Sequence, residues 1–80
     1  MPKQRVKFTF PPDLITRPLI YDMGRQFEVT TNIRRANVTH DRGWVILEIS
    51  GETPEIERAV DWALRQGVRV DPIEGDIVAG

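Results

Sequence analysis

The feature of this sequence that most constrains its fold is the spacing of its apolar residues. Two kinds of spacing occur, and the order in which they follow one another along the chain is informative. Runs in which every second residue is apolar are typical of half-buried strands, and runs with apolar residues three or four apart are typical of amphipathic helices. Along the 80 residues these runs alternate as strand, helix, strand, strand, helix, strand. The order therefore predicts one small domain that combines a sheet with two helices.

The strand runs also predict which side chains share a face. Residues 3–10 place their apolar side chains on one side, and the two prolines that follow end the strand because proline cannot donate a ladder hydrogen bond. Residues 44–50 form the clearest strand, in which Trp44 and Ile46 point away from the more regular apolar side. The preceding residues 40–43 predict a hairpin turn, with Gly43 at a position suited to positive φ.

Two helices are predicted from their caps and apolar faces. Thr16 is expected to cap the first helix, with Pro18 in its first turn, and Thr53 and Pro54 are expected to begin the second, which ends at Gly67. The predicted face of the first helix consists of Ile20, Met23, Gly24 and Phe27. The predicted face of the second consists of Ile56, Ala59, Val60, Ala63 and Leu64. A glycine on the first face predicts that this helix lies close to the sheet.

Two right-handed βαβ crossovers in this order give a four-stranded antiparallel sheet with both helices on one face, the ferredoxin-like α+β fold. We expect residues 1–73 to form this single domain, with a last strand at Val68 and Val70, and residues 74–80 to be a mobile tail. The other face of the sheet is left uncovered. Because Trp44 and Ile46 lie on it, we expect them at an interface with a partner. The alternative is that the tail or the stem of a long arginine side chain covers Trp44.

The stretch "TTNIRRANVTH", residues 30–40, contains a fault in its strand alternation. Val29 and Ile33 share a phase that Ala36 and Val38 do not. One extra residue at Arg34-Arg35, a β-bulge, returns both apolar sets to the core face. The sequence therefore predicts a bulge at the two arginines.

The same stretch supplies the candidate ligand-binding residues. Arg34 and Arg35 could hold a carboxylate or a phosphate as a fork, and Asn32 and Asn37 offer further donors and acceptors. An alternative is that these charges only protect a solvated strand edge from aggregation.

Other chemistry finds little support in the sequence. The chain has no cysteine, and His40 is its one histidine, so no catalytic, metal or cofactor site is predicted. The net charge of -1 and the absence of a long apolar run predict no nucleic-acid partner, no membrane insertion and a cytoplasmic location. Binding of RNA to the open sheet is disfavoured further because Phe8 and Phe10 are phased with the core.

Six stretches occur in a characteristic order and spacing: Arg25-Gln26-Phe27, Asn32-Ile33, Leu47-Glu48-Ile49, Gly51, Ala63-Leu64 and Gly67-Val68. In these features residues 27–70 resemble the NIL domain, a small ferredoxin-like module at the C-terminus of methionine-import ABC transporter ATPases. The resemblance implies paired domains that bind methionine near their mutual interface, with Asn32 as a ligand contact and Ile33 in a packing role. Arg34 stands where the family usually has an apolar residue.

Two functional hypotheses follow. The first is a non-enzymatic, homodimeric regulatory module that binds an amino acid such as methionine through Asn32, Ile33, Arg34, Arg35 and Asn37. Trp44 and Ile46 lie in or near its interface. The second, drawn from ferredoxin-containing members of the family, is a protein-interaction accessory module in sulfur or amino-acid metabolism that binds no small ligand.

Overall fold

The computed structural model describes residues 1–73, and its elements follow the predicted order. The predicted mobility of residues 74–80 lies outside the described residues. The six main elements are β1 Lys3–Phe10, α1 Leu19–Gln26, β2 Thr30–Val38, β3 Gly43–Ser50, α2 Thr53–Gln66 and β4 Arg69–Pro72. A short 3-10 helix, Pro12–Leu14, lies between β1 and α1 and was not predicted.

The four strands form one antiparallel sheet in the order β2-β3-β1-β4. This order places the two strands of the hairpin side by side and brings β1 between β3 and β4, as two βαβ crossovers require. The ferredoxin-like α+β fold is therefore confirmed. It leaves β2 and β4 as the edges of the sheet.

One hydrophobic core lies between the sheet and the helices. Its largest fully buried side chains are Phe8, Met23, Leu47, Ile49 and Val6. Along β3 the residues alternate strictly between buried and half-buried, which places Trp44 and Ile46 on the face away from the core. That these two side chains contact a partner stays a prediction.

The β-bulge in β2 is confirmed by the register of its pairing with β3. Ile33 lies opposite Leu47 and Arg35 lies opposite Ile46, so Arg34 is the extra residue. The apolar residues on both sides of the bulge consequently share the side of the sheet that faces the helices.

The prediction that the apolar residues on both sides of the bulge lie in the core is, however, wrong in part. Val29 is buried, but Ile33 is 55% exposed and Val38 is 54% exposed. The reason is that β2 is an edge strand, and the eight-residue α1 does not cover its outer half. The strand therefore presents apolar side chains to solvent on the helix side of the sheet.

The beginnings of both helices also differ from the prediction. The residue at the N-cap of α1 is Pro18 and not Thr16, because the chain first turns through the 3-10 helix, which buries Leu14. The N-cap of α2 is Glu52, so Thr53 is its first helical residue. Neither cap forms a side-chain hydrogen bond.

Three further expectations are corrected by the packing. Gly24 is exposed, with no atom near the position of a Cβ, so its helix does not approach the sheet there. Gly43 does not have positive φ. A Cβ there would lie 2.8 Å from Ile15 Cδ1, the end of a flexible side chain that can shift to make room. Leu64 is 51% exposed instead of buried, whereas Gly67 does adopt the left-handed conformation, with φ of 104°, that ends α2.

Candidate functional site

The most apolar cavity described in the structure is an open groove between α1 and β2. It has a volume of about 270 Å³. Its lining consists of Phe10, Ile15, Arg17, Pro18, Leu19, Ile20, Tyr21, Ile33, Ala36, Val38 and Val45. The groove follows directly from the incomplete cover of the edge strand.

Each wall of the groove comes from a different element. Ile33, Ala36 and Val38 form the strand wall, and they share this side of the sheet only because the bulge shifts the alternation between Ile33 and Arg35. The turn into α1 and its first residues form the opposite wall. A ligand lying here would contact the outer edge of the sheet as well as the domain interior.

The two polar side chains at the groove interact with exposed neighbours on the helices. Arg17 Nη2 donates to Gln66 Oε1 at 3.4 Å. The Tyr21 hydroxyl accepts from Arg25 Nη1 at 3.4 Å, and the Arg25 guanidinium lies 5.7 Å from the Tyr21 ring centroid. Both bonds are long and exposed, so Arg17 and Tyr21 can exchange these partners for a ligand at little cost.

The predicted ligand-binding residues do not form one cluster. Ile33 lines the groove, but the register places Asn32, Arg35 and Asn37 on the other face of the sheet, opposite residues of β3 that point away from the core. No element of residues 1–73 covers this second face, the uncovered face of the sheet. Arg34 lies at the bulge between the two groups. Neither arginine forms an ion pair with any residue of the part of the chain that the structure describes.

The uncovered face has its own organisation, in rows that run across the strands. Arg35, Ile46, Lys7 and Asp71 occupy one row, and Asn37, Trp44, Thr9 and Arg69 occupy the next. The Lys7 ammonium lies 5.2 Å from the centroid of the Trp44 ring, within range of a cation–π interaction.

A polar cleft of about 330 Å³ lies at the hairpin end of this face. It is lined by Asn37, Thr39, Asp41, Arg42 and Trp44. Thr39 Oγ1 lies 3.2 Å from both Asp41 Oδ1 and the Arg42 carbonyl oxygen, and these contacts fix the turn. The Thr39 hydroxyl and the Asp41 carboxylate of the cleft therefore already have a local partner.

Among residues 1–73 there is no group of three or more histidine, cysteine or acidic residues that could hold a metal ion. The imidazole of His40 is 92% exposed and lies 3.8 Å from the Asp41 carboxylate, as expected for a turn histidine. Within the same range, no helix is long and apolar enough to cross a membrane.

Sequence reasoning missed the residues that α1 and the preceding turn contribute to the groove. Ile15 lies outside both predicted helical faces, and Tyr21 is 62% exposed although it is large and aromatic. The sequence did show that these two side chains fall outside the periodic pattern of the core. That pattern could not locate a cavity, because the groove depends on how far α1 lies from the edge strand.

The sheet order, the two helices and the groove at an open edge define this molecule as a small ferredoxin-like α+β domain. The chain belongs to the NIL domain family, whose model matches residues 4–72.

One solved structure has the same fold as this chain. It is the "C-terminal domain of ABC transporter / ATP-binding protein" from Enterococcus faecalis, which is 18% identical with a TM-score of 0.78. The match covers 91% of this chain and 86% of that chain. None of the curated proteins compared with the chain matches it. At this level of identity the likeness demonstrates a common fold.

Proposed function

We propose that this NIL domain is a non-enzymatic regulatory module that binds an amino acid with an apolar side chain, such as methionine, as a homodimer. The observation that carries the proposal is the apolar groove whose strand wall, Ile33 and Val38, is left more than half exposed.

The groove suits the side chain of such a ligand. Small-molecule sites are mostly apolar concavities of about 300–1,000 Å³. At about 270 Å³ the groove is just below that range, so it fits an amino acid better than a large cofactor. Burial of an apolar side chain against Ile20 and Val38 contributes binding free energy at about 25 cal/mol per Å².

The bulge supplies a polar end beside this apolar wall. A bulged residue is not paired in the ladder, so backbone groups near Arg34 remain available to a ligand. The Arg34 side chain is exposed and forms no ion pair within residues 1–73. It can therefore meet the α-carboxylate with a charge-assisted hydrogen bond.

Dimerisation through β2 would close the open side of the groove. An edge strand with unpaired backbone groups readily pairs with a second chain, and a two-fold axis would place Ile33 and Val38 of each copy at the junction. A ligand that contacts both copies binds the dimer more tightly than the monomer. It then favours the dimer by the difference between these two affinities. The Enterococcus structure is the C-terminal domain of an ABC transporter ATP-binding protein, and a domain attached to such a subunit is suited to a regulatory role of this kind.

Thermal unfolding of the full chain with a panel of amino acids tests the proposal. A ligand at 100 times its Kd stabilises the folded state by about 2.7 kcal/mol. We expect methionine and similar apolar amino acids to raise the Tm. Glutamate and lysine should not raise it.

The matched variants are Ala36→Leu, which fills the groove from its strand wall, and Glu57→Leu, which adds the same side chain on the exposed side of α2. Ala36→Leu should abolish the rise in Tm and Glu57→Leu should preserve it. Equal responses in the two variants, or no response to any amino acid at millimolar concentration, would contradict the proposal.

A protein-interaction module is the second candidate, favoured by one observation. Trp44 and Ile46 lie half-buried on a sheet face that no described element covers. Loss of a partner on Trp44→Ala, with no effect of amino acids on the Tm, is the result that would select this function.

A further inference from the structure

The uncovered face of the sheet has the opposite charge to the rest of the molecule. By strand phase and register it carries five cations and two carboxylates: Lys3, Arg5, Lys7, Arg35, Arg69, Glu48 and Asp71. Its net charge is therefore +3, whereas the whole chain has a net charge of -1, so the remainder carries -4. An open positive face on an acidic protein gives it a directional attraction for anionic partners.

Two of these cations are partly neutralised within the face. The Arg5 Nε atom lies 3.3 Å from Glu48 Oε2, and Arg69 Nε lies 3.1 Å from Asp71 Oδ2. Lys7 and Arg35 differ, because neither forms a salt bridge with a carboxylate of residues 1–73.

Lys7 and Arg35 flank a single apolar residue. Both are register partners of Ile46, one on each neighbouring strand, so their Cα atoms are about 10 Å apart. Trp44 lies on the same face two positions before Ile46, and the cation–π contact holds the Lys7 ammonium over its ring. The face thus has an apolar centre between two cations, which is the arrangement of a protein interface with a charged rim.

We propose that this face docks an acidic protein segment that presents an apolar side chain between carboxylates. The apolar side chain would pack on Ile46 and Trp44, and the carboxylates would meet Lys7 and Arg35. This surface lies on the opposite side of the sheet from the groove, so the proposal stands independently of amino-acid binding.

The same observations disfavour nucleic acid. Trp44 is the one aromatic residue on the face within residues 1–73, which leaves no row of rings for base stacking.

The size of the face predicts the kind of association. The spacing of strands and of residues in a sheet gives one face of this four-stranded sheet an area of about 500 Å². Stable complexes bury about 800 Å² per partner, so we expect a transient complex. Because its attraction is electrostatic, the complex should weaken steeply with salt.

The experiment uses the full chain with Trp62→Phe, so that Trp44 is the single tryptophan, and a random copolymer of glutamate and tyrosine as the acidic polypeptide. We expect a change in Trp44 fluorescence on titration at low salt, and a loss of affinity of at least about tenfold at physiological salt. Polyuridylate and vesicles of anionic phospholipid at equal charge are the competing anions. Tighter binding of either, or no binding of the copolymer, would overturn the proposal.

The matched variants are Arg35→Glu and Arg65→Glu, which reverse one exposed charge on the sheet face and on α2 respectively. Arg35→Glu should weaken copolymer binding at least about fivefold, and Arg65→Glu should weaken it less than twofold, since only the first charge lies in the docking face. Circular dichroism checks that both variants fold. Equal weakening by both would show a general charge effect and would contradict a docking face.

Discussion

At the scale of single residues, three glycines serve different purposes. A Cβ at Gly24 would meet no atom within 4 Å, whereas a Cβ at Gly51 would lie 2.9 Å from the Glu28 carbonyl oxygen and 3.1 Å from Val29 Cγ1. Gly67 is required by its backbone conformation. Glycine is therefore needed at Gly51 for close packing but not at Gly24.

This difference predicts opposite effects of the same substitution. Gly24→Ala should raise the free energy of unfolding by about 1 kcal/mol, because alanine favours a helix more than glycine does. Gly51→Ala should lower it by about 1–3 kcal/mol, because the backbone of the neighbouring segment must move. Urea denaturation measures both. Destabilisation by Gly24→Ala would indicate that α1 packs more closely than the structure describes.

At the scale of elements, β2 links the fold to the proposed function. It is the edge strand, it contains the bulge, and it carries apolar side chains that the core does not bury. An exposed apolar edge strand is a hazard for a monomer, since it can pair with other chains. The proposed pairing with a second copy would remove that hazard and enclose the groove.

Two exposed apolar residues form a matched pair for testing this edge. Ile33 is 55% exposed on β2, and Leu64 is 51% exposed on α2. Ile33→Glu should weaken dimerisation at least about tenfold, because two charges would then be buried at the junction. Leu64→Glu should leave it unchanged. Sedimentation velocity at several concentrations measures both, and a monomeric wild-type chain or equal effects of the two variants would contradict the edge-strand dimer.

The bulge can be tested by deletion. A chain lacking Arg34 has regular alternation, with Ile33, Ala36 and Val38 still on one side of β2, so we expect its free energy of unfolding to change by less than about 1 kcal/mol. A chain lacking Ala36 has the same length but turns an arginine toward the apolar side, and should lose more stability. If the chain lacking Arg34 still binds methionine with unchanged affinity, the bulge is not the polar end of the site.

The alternation of the strands and the apolar stripe of α2 were sufficient to predict the fold, and the phase fault between Val29 and Val38 located the bulge. The start of α1 could not be predicted, because the 3-10 helix that buries Leu14 depends on packing against the core. The exposure of Ile33 and Leu64 was missed for a similar reason. Periodicity gives the side on which a residue lies, and only the position of the neighbouring element decides whether that side is covered.

At the scale of the whole molecule, the sheet separates two surfaces of different chemistry. The groove on the helix side is almost entirely apolar, while the uncovered face carries a net charge of +3. The sheet lies between them, so the proposed amino-acid ligand and the proposed acidic partner would not compete for one surface.

Mapping of methionine-induced shifts in the ¹H–¹⁵N spectrum of the full chain tests the central claim most directly. The account predicts that the amides of Ile20, Ile33 and Val38 move together with a single Kd, while those of Lys7 and Trp44 on the opposite face move least. Shifts confined to the uncovered face, or no shift at millimolar methionine or any other apolar amino acid, would contradict it.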